Sequence, residues 1–401
     1  MKVLQVNSVY QKGSTGEITY NIHTGLLKQN INSIVCYGRG DKVQLPFVYK
    51  TCWEIYAKLN KLLSMITGIM YGGCFISTYK LINIIKKEKP DIVHLQCING
   101  NFVNIYKLIS FLKHSKINTV ITLHAEFMYT GSCGIAYDCE KWKTGCGTCP
   151  LLKTDLHSIM FDRTSSSWEK MRRIFSDMEN LRVVSVSPWL DDRVSQAPVF
   201  FNKSHKVIMN GINTNLFKVV DCKDLRKSLQ LRDEKIILFV TASLSNENKG
   251  GKYIFELMNL FAEENVKMIV VGNKGERIIN YDNIIDVGRI DNNLLPLYYS
   301  LADVSIILSR RETFSMPVAE SMCCGTPVVG FEAGGPESIA LKKYSRFVEY
   351  GDIDNMKKQI ETMFELNLDC KKLSDEARKI YSNTNMINNY IELYNSMYLR
   401  K

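Results

Sequence analysis

The feature that most constrains the fold is an alternation, occurring twice, of short β-branched apolar runs with longer segments of helical periodicity. In the first half, runs such as KVLQVN, DIVHLQ and NTVITLH are separated by helical patterns such as 19–29 and 75–87. The alternation restarts with the runs KIILFV, KMIVVG, NIIDVG, VSIILS and TPVVGF. Because strands that alternate with helices form βαβ units, the chain is predicted to be an α/β protein with two doubly wound parallel sheets.

The length of 401 residues suits two domains of roughly 100–200 residues each. A turn-forming Asn-Gly dipeptide in VIMNGINTNLFK marks the joint between them. We predict a first domain over residues 1–206, a second over 207–381, and a C-terminal helix at about 382–401 that packs back onto the first. In such sheets ligands bind beyond the carboxyl ends of the strands. The residues just after each strand, facing a cleft between the domains, are therefore the candidates for function.

The charge and the cysteine content bear on partners and compartment. A formal net charge of +10 attracts anions such as nucleoside diphosphates, lipid phosphates or nucleic acid. No Lys/Arg tract or zinc-finger pattern is visible, so a nucleic-acid function is not predicted. The chain shows no signal-peptide core and no apolar window of about 18 residues, and its twelve cysteines then favour a reducing compartment. We predict a cytoplasmic protein.

Four cysteines form a cluster of their own in the stretch GSCGIAYDCEKWKTGCGTCP: Cys133, Cys139, Cys146 and Cys149. Four thiolates can complete a tetrahedral zinc site, and the spacing of the last two is that of a zinc knuckle. Free packed thiols are an equally weighted alternative, and a disulfide or redox pair is a third. If zinc binds, we expect it to brace an insertion after the preceding strand and to take no part in chemistry.

In the first domain, two features follow strands. A glycine loop that includes Gly16 comes after the first strand, where a helix start favours anions; an ordinary βα connection looks the same. The strand NTVITLH ends on His124, which can hydrogen-bond to a sugar hydroxyl or steady developing charge. A buried structural histidine is the competing interpretation at this position.

The sharpest signal lies in the second domain, where RETFSMPVAE follows the strand VSIILS. Glu312 falls in the loop after that strand, and Pro317 suits the first turn of the next helix. Glu320 then lies about one turn into the helix, where a carboxylate can accept hydrogen bonds from a vicinal diol such as that of ribose. Amides of the loop at the helix start can hold a phosphate.

These residues resemble the E-x7-E signature of retaining glycosyltransferases of family 4, which have the GT-B fold of two Rossmann-like domains. The following SMCCGTPVVGFEAGGPESI is similar to that family's continuation, and VIMNGINTNLFK and VSPWL are similar to two of its other motifs. The resemblance spans nearly the whole chain. It is closest to members that build bacterial capsule, exopolysaccharide or O-antigen chains, which implies a hexosyltransferase acting on a growing, lipid-linked surface polysaccharide.

The resemblance also implies site roles. Glu312 would contact the donor sugar near the reacting centre, Glu320 would bind the donor ribose, and His124 would lie near the donor sugar. Lys249 would stabilise the leaving diphosphate without a catalytic metal or other cofactor, the nucleotide-diphosphate sugar being the donor substrate. The rest of the predicted donor-binding set comprises Gly16, Ser243, Arg289, Thr313, Phe314, Ser315 and Met316.

One departure from the family pattern matters. Ser243 stands where family members carry an arginine that clamps the diphosphate, and a lysine alone supplies a point charge without a bidentate fork. A non-catalytic nucleotide-sugar-binding relative is therefore one alternative. A nucleotide-sugar epimerase of similar two-domain architecture is another, although epimerases lack the E-x7-E stretch. Basic and aromatic residues between Trp53 and Lys89 further suggest peripheral contact with the inner face of the cytoplasmic membrane, or an ordinary acceptor-side helix pair.

Overall fold

The computed structural model describes residues 1–275, 278 and 281–399. The chain divides into two compact units. Unit 1 comprises Met1–Met209 together with the segment that begins at Met386, and unit 2 comprises Asn210–Asn385. Residues 400 and 401, at the end of the predicted C-terminal helix, lie outside the described residues.

The strands and helices alternate along most of the chain. The strands are β1 (Lys2–Asn7), β2 (Asn32–Tyr37), β3 (Val48–Lys50), β4 (Ile92–Leu95), β5 (Asn118–Leu123), β6 (Leu181–Ser185), β7 (Ser204–Val207), β8 (Lys235–Val240), β9 (Val266–Val271), β10 (Ile284–Gly288), β11 (Val304–Ile307), β12 (Val328–Phe331) and β13 (Ser345–Val348). The helices are α1 (Gly13–Lys28), α2 (Glu54–Thr67), α3 (Phe75–Glu88), α4 (Ile105–His114), α5 (Thr164–Ser176), α6 (Pro188–Ser195), α7 (Lys223–Ser228), α8 (Tyr253–Leu260), α9 (Leu295–Leu301), α10 (Met316–Cys323), α11 (Gly335–Ile339), α12 (Ile353–Glu365), α13 (Cys370–Tyr381) and α14 (Asn383–Tyr398).

Each unit contains one sheet of parallel strands. The order is β3-β2-β1-β4-β5-β6-β7 in unit 1 and β10-β9-β8-β11-β12-β13 in unit 2. In both sheets the chain first builds outward on one side and then returns to the centre and builds on the other. The strand order therefore reverses between β1 and β4 and between β8 and β11, and such a switch point is where doubly wound sheets bind ligands. The predicted α/β fold with two doubly wound sheets is confirmed.

The strands that the sequence patterns did not predict are all edge strands. β3, β7 and β13 each lie at one end of a sheet and are three or four residues long. In β7 the first three residues are exposed. An edge strand has a neighbour on one side only, so it needs neither the length nor the continuous apolar run that marks a central parallel strand.

Helix α14 packs into the core of unit 1. Its buried residues Met386, Tyr390, Leu393, Tyr394 and Met397 cluster with side chains of α1 and of the central strands. A polar network accompanies this apolar contact. His94 on β4 bonds through Nδ1 to the Tyr394 hydroxyl and through Nε2 to the Thr122 hydroxyl, both at 2.7 Å. Because both ring nitrogens have partners, the buried histidine fixes the position of the last helix.

This network predicts acid sensitivity in unit 1. Burial, with His124 nearby, lowers the pKa of His94 from 6.5 to about 3. The unfolded chain therefore binds the proton first, so this stability is fully present above about pH 6.5 and is lost as the pH falls toward 3. Each pH unit in that window is worth about 1.4 kcal/mol per histidine. Between pH 7 and pH 5 we expect His94 to account for about 2 kcal/mol of the fall in the free energy of unfolding.

The measurement is urea denaturation at several pH values for the parent, for His94→Gln and for His114→Gln. His114 is an exposed histidine at the end of α4. His94→Gln should flatten the pH dependence, whereas His114→Gln should leave it as in the parent. Equal pH slopes for all three proteins would contradict this role of His94.

Unit 2 has its own apolar core between its sheet and the helices α8 and α12. It includes Ile254 and Leu257 of α8, Met356 and Ile360 of α12, and the inward residues of β8, β9, β11 and β12. This core fixes the strands whose carboxyl ends carry the candidate site. Within the described part of the chain, no helix is both long and apolar enough to cross a membrane.

Candidate active site

The sheet of unit 2 brings Glu312 and Lys249 together at its switch point. The loop after β8 carries Lys249, and the loop after β11 carries Glu312. Lys249 Nζ donates to Glu312 Oε1 at 2.8 Å. Ser309 Oγ donates to the same oxygen. The Glu312 side chain is 13% exposed and that of Lys249 is 38% exposed. The lysine is therefore partly in contact with water, whereas the carboxylate of Glu312 is largely shielded from it.

Hydrogen bonds from the Asn248 side chain and from the backbone hold these two loops in register. Asn248 Nδ2 donates to the Arg311 carbonyl at 2.9 Å, and the Arg310 amide donates to the Asn248 carbonyl at 2.8 Å. The Glu312 amide donates to the Ala333 carbonyl at 3.0 Å, and Gly335 returns a bond to the Glu312 carbonyl at 2.8 Å. Glu312 is therefore fixed from both sides, which is what a preorganised charged group requires.

The segment from Thr313 to Met316 leads into α10 through a strained serine. Ser315 is the N-cap of the helix with φ of 91°, a region that non-glycine residues rarely occupy and that clusters at functional sites. Its hydroxyl is buried and has no hydrogen-bond partner among the described residues. Phe314 is buried, whereas Thr313 and Met316 are half-buried. The three predicted donor-binding residues that flank Ser315 therefore lie at the start of one helix.

Glu320 lies within α10, where a buried tyrosine orients it. The Tyr299 hydroxyl on α9 donates to Glu320 Oε2 at 3.0 Å. Burial and the adjacent carboxylate raise the pKa of Tyr299 well above 10, so the hydroxyl remains a donor at any ordinary pH. Glu320 itself is half-buried. A carboxylate held in this way from one side can accept hydrogen bonds from a ligand diol on the other.

Two further predicted donor-binding residues, Ser243 and Arg289, lie on other loops of unit 2. Ser243, in the loop after β8, shares a hydrogen bond of 2.8 Å with the Ser245 hydroxyl. Arg289 follows β10 and is exposed. Both lie at the carboxyl edge of the sheet, as the Glu312–Lys249 pair does. Their predicted roles remain predictions.

The predicted residues of unit 1 also lie at the carboxyl edge of its sheet or at a helix start. His124 follows β5, and its Nε2 bonds to Gln96 Oε1 at 2.8 Å. Burial lowers the pKa of His124 to about 4, so the ring is neutral at pH 7. Because Nε2 donates its one N–H to Gln96, Nδ1 can act only as an acceptor. Gly16 is buried in the first turn of α1, where a Cβ would lie 3.1 Å from Val9 Cγ2.

The cysteine cluster does not form a metal site in the described part of the chain. Among those residues, no group of three or more His, Cys, Asp or Glu side chains is placed to hold a metal ion, which counts against the predicted structural zinc. The four cysteines, Cys133, Cys139, Cys146 and Cys149, are free thiols around one small cavity beside Trp142. Cys146 Sγ accepts a hydrogen bond from the Gly131 amide at 3.1 Å, and burial raises its pKa to about 12. Without a bound metal, such a thiol stays protonated at pH 7.

Three residues of the site were not predicted from the sequence. Ser309 is the last residue of the run VSIILS and lies just beyond β11, so the rule that function lies after a strand would have found it. Asn248 stands beside Lys249, but its bonds to the Arg311 loop need the strand order to be known. Tyr299 carries no sequence signal, because its contact with Glu320 arises only from the packing of α9 against α10.

The comparisons with known proteins agree with this geometry. Residues 221–380 match the family described as "Glycosyl transferases group 1". Solved structures of the same fold include sucrose-phosphate synthase from Thermosynechococcus elongatus, with a TM-score of 0.70, 14% identity and full coverage of both chains. The fold and the match together define the class: the protein has the GT-B fold of glycosyltransferases, and residues 221–380 form a group 1 glycosyl transferase domain.

Two further relatives extend over nearly the whole chain. WcaC of Escherichia coli (strain K12), provisionally described as a colanic acid biosynthesis glycosyl transferase, is 22% identical over 99% of this chain and 100% of its own. Anabaena Alr3699/HepE, solved with UDP and glucose, has a TM-score of 0.64 and 16% identity over 99% of this chain and 100% of its own.

Proposed function

We propose that this protein is a retaining family 4 glycosyltransferase of the hexosyltransferase type. It would move a sugar from a nucleotide-diphosphate sugar to a growing, lipid-linked bacterial surface polysaccharide. The observation that carries the proposal is the pairing of Glu312 with Lys249 at the switch point of unit 2. Glu320 follows in the next helix, in the E-x7-E spacing.

The donor would bind along the loop that connects β11 to α10. Among the described residues, both hydrogen bonds to the Glu312 carboxylate fall on Oε1, and we expect Oε2 to face the donor sugar. Lys249 would stabilise charge on the leaving diphosphate, as would the backbone amides at the start of α10. The Ser315 hydroxyl and the carboxylate of Glu320 would contact the diphosphate and the ribose. The solved HepE complex with UDP-glucose supports a donor of this chemical class.

Retention of configuration requires the acceptor hydroxyl to attack from the face that the diphosphate leaves. Positioning and electrostatic stabilisation then supply most of the rate, and no metal or other cofactor enters the proposed chemistry. The neutral imidazole of His124 would accept a hydrogen bond at Nδ1 from a donor-sugar hydroxyl. The description of WcaC, which places it in colanic acid biosynthesis, supports a polysaccharide as the product.

The test is binding and turnover of a panel of nucleotide sugars by the parent and by Glu320→Ala. We expect one donor to bind, to release its nucleoside diphosphate slowly in water, and to bind at least roughly tenfold more weakly to Glu320→Ala, because the ribose loses a charged hydrogen-bond acceptor. Isothermal titration with the matching nucleoside diphosphate measures the same loss without the sugar. Glu256→Ala, on the exposed side of α8, is the matched control and should bind as the parent does.

Ser243 favours one competing interpretation, a relative that binds nucleotide sugars without turning them over. Its hydroxyl bonds to Ser245 and offers no positive charge to a diphosphate. Donor binding without release of nucleoside diphosphate would support that alternative. Absence of binding by every nucleotide sugar at millimolar concentration would contradict both.

A further inference from the structure

Helix α2 presents its apolar side to solvent. Its buried positions are the small or polar residues Ala57, Asn60 and Ser64. Its large apolar side chains, with the preceding tryptophan, are exposed: Trp53, Ile55, Leu59, Leu62, Leu63 and Ile66. A surface helix of a globular protein normally has the opposite arrangement, with its apolar stripe on the core.

Two neighbouring segments extend this apolar surface. The Cys74 amide donates to Asn60 Oδ1 at 2.7 Å, which holds the start of α3 against α2. The Ile159 amide donates to the Met65 carbonyl at 2.8 Å, which holds the segment 159–161 on another side of the helix. These segments add further exposed side chains: Phe75, Ile76, Tyr79, Ile159, Met160 and Phe161. We call these twelve exposed side chains the α2 face; exposed apolar side chains grouped on adjacent segments mark an interaction surface.

The charge around the α2 face is mainly positive. Residues 55–87 contain five lysines and no aspartate or glutamate, although Glu54, paired with Arg39, precedes them and Asp162 follows the segment 159–161. The five are exposed: Lys58, Lys61, Lys80, Lys86 and Lys87. Lys107 adds a sixth positive charge, with its Nζ 5.7 Å from the centre of the Phe75 ring. Apolar side chains surrounded by lysines complement the acyl and anionic head-group layers of a lipid bilayer. A neutral apolar protein surface would match the apolar side chains but leave the lysines without partners.

A polar cavity lies behind the same helix. Its volume is about 210 Å³, and Lys61, Ser64 and Met65 of α2 form part of its wall. The opposite wall carries Asn99, Asn101, Ser132, Asp155 and His157. Asn99 and Asn101 follow β4, and Ser132 lies in the segment after β5, so the cavity opens at the carboxyl edge of the sheet. Amide, carboxylate and ammonium groups together fit the hydroxyls and phosphate of a sugar-lipid head group.

We propose that the α2 face docks onto an anionic lipid bilayer and that the cavity behind α2 receives the polar head of a lipid-linked saccharide acceptor. One helix then serves both parts, with Leu59 and Leu63 in the lipid and Lys61 and Ser64 in the wall of the cavity. The identity of the acceptor rests on the proposed function, whereas the docking does not.

Docking is tested by sedimentation with vesicles of phosphatidylcholine and phosphatidylglycerol at low salt. We expect the parent to sediment, to be released at high salt, and to lose roughly tenfold or more in affinity in the variant Leu59→Glu/Leu63→Glu. Both side chains are exposed, so the variant should fold. Phe201→Glu makes the same change at an exposed position of unit 1 outside the α2 face and should bind as the parent does.

Three results would overturn the docking. The first is a parent that stays in the supernatant, and the second is a double variant that sediments as the parent does. The third is a parent that is dimeric without lipid and a double variant that is monomeric, because a second copy of the chain would then cover the α2 face.

The cavity is tested by transfer of labelled sugar from the donor into a lipid extract of the source organism's own membranes. Asp155→Asn and Asn101→Gly should lower the transfer roughly tenfold or more, with vesicle sedimentation and thermal unfolding as in the parent. Glycine is chosen because Asn101 has a φ of 53°, which glycine adopts without strain. Asp177→Asn, at an exposed carboxylate after α5, is the control and should transfer normally.

Normal transfer by Asp155→Asn would overturn the assignment of the cavity, as would a parent that releases nucleoside diphosphate but labels no lipid. A parent that turns over no donor would overturn the proposed function and with it the acceptor assigned to the cavity. The docking would still be decided by sedimentation alone.

Discussion

Glu312→Gln is expected to lower kcat/KM for sugar transfer about 10²–10³-fold, the range for loss of one preorganised charged group at a reacting centre. Glutamine keeps the shape of the side chain and can still accept from Ser309, but it removes the negative charge that faces Lys249 at 2.8 Å. The free energy of unfolding should fall by no more than about 1 kcal/mol, because the lysine is partly exposed. Transfer kinetics with the identified donor measure the first effect, and urea denaturation measures the second.

The control for this prediction is Glu263→Gln, an exposed glutamate of unit 2, which should retain the kinetics of the parent. Activity of Glu312→Gln within a few-fold of the parent would remove Glu312 from the reacting centre. A large loss of stability with a proportional loss of activity would show that the pair acts only on folding.

Gly250→Ala is expected to destabilise the protein by about 3 kcal/mol or more and to abolish transfer. Gly250 has φ of +67°, and an added Cβ would lie 2.0 Å from the Leu308 carbonyl oxygen. The left-handed conformation alone costs about 1–2 kcal/mol for a non-glycine residue, and forced displacement of packed atoms adds about 1–3 kcal/mol. The displaced loop carries Lys249, and Leu308 precedes the loop of Glu312, so the strain falls directly on the pair.

Gly288→Ala separates the two costs. Gly288 has φ of +70°, but the nearest atom to an added Cβ is the Asn273 oxygen at 4.0 Å. The variant should therefore lose only about 1–2 kcal/mol, the backbone part alone. Equal urea midpoints for the two variants would show that the close approach to Leu308 is relieved at little cost.

The periodic elements were predictable because their signals are local. The central strands of both sheets are apolar runs of four to six residues, and helices such as α1 and α3 coincide with patterns of period near 3.6. The C-terminal helix predicted at about 382–401 corresponds to α14, which begins at Asn383.

The candidate site was predictable in part. The spacing of Glu312 and Glu320 places one carboxylate in a loop after a strand and the other in the following helix, and both positions follow from local sequence alone. The contact between Glu312 and Lys249 does not, because 63 residues separate them. It depends on β8 and β11 being neighbours in the sheet, which is a property of the strand order.

By itself, the sequence determined the class of fold, the positions of most strands and helices, and the loop that carries the two glutamates. Each of these depends on residues a few positions apart, whose periodicity and turn chemistry act locally. Only the tertiary structure decided which side chains hold Glu312 and Glu320, how His94 fixes the last helix, and that α2 turns its apolar side outward. Those features arise where elements distant in sequence pack together, and hydrophobic periodicity along one helix does not state which side the rest of the protein will cover.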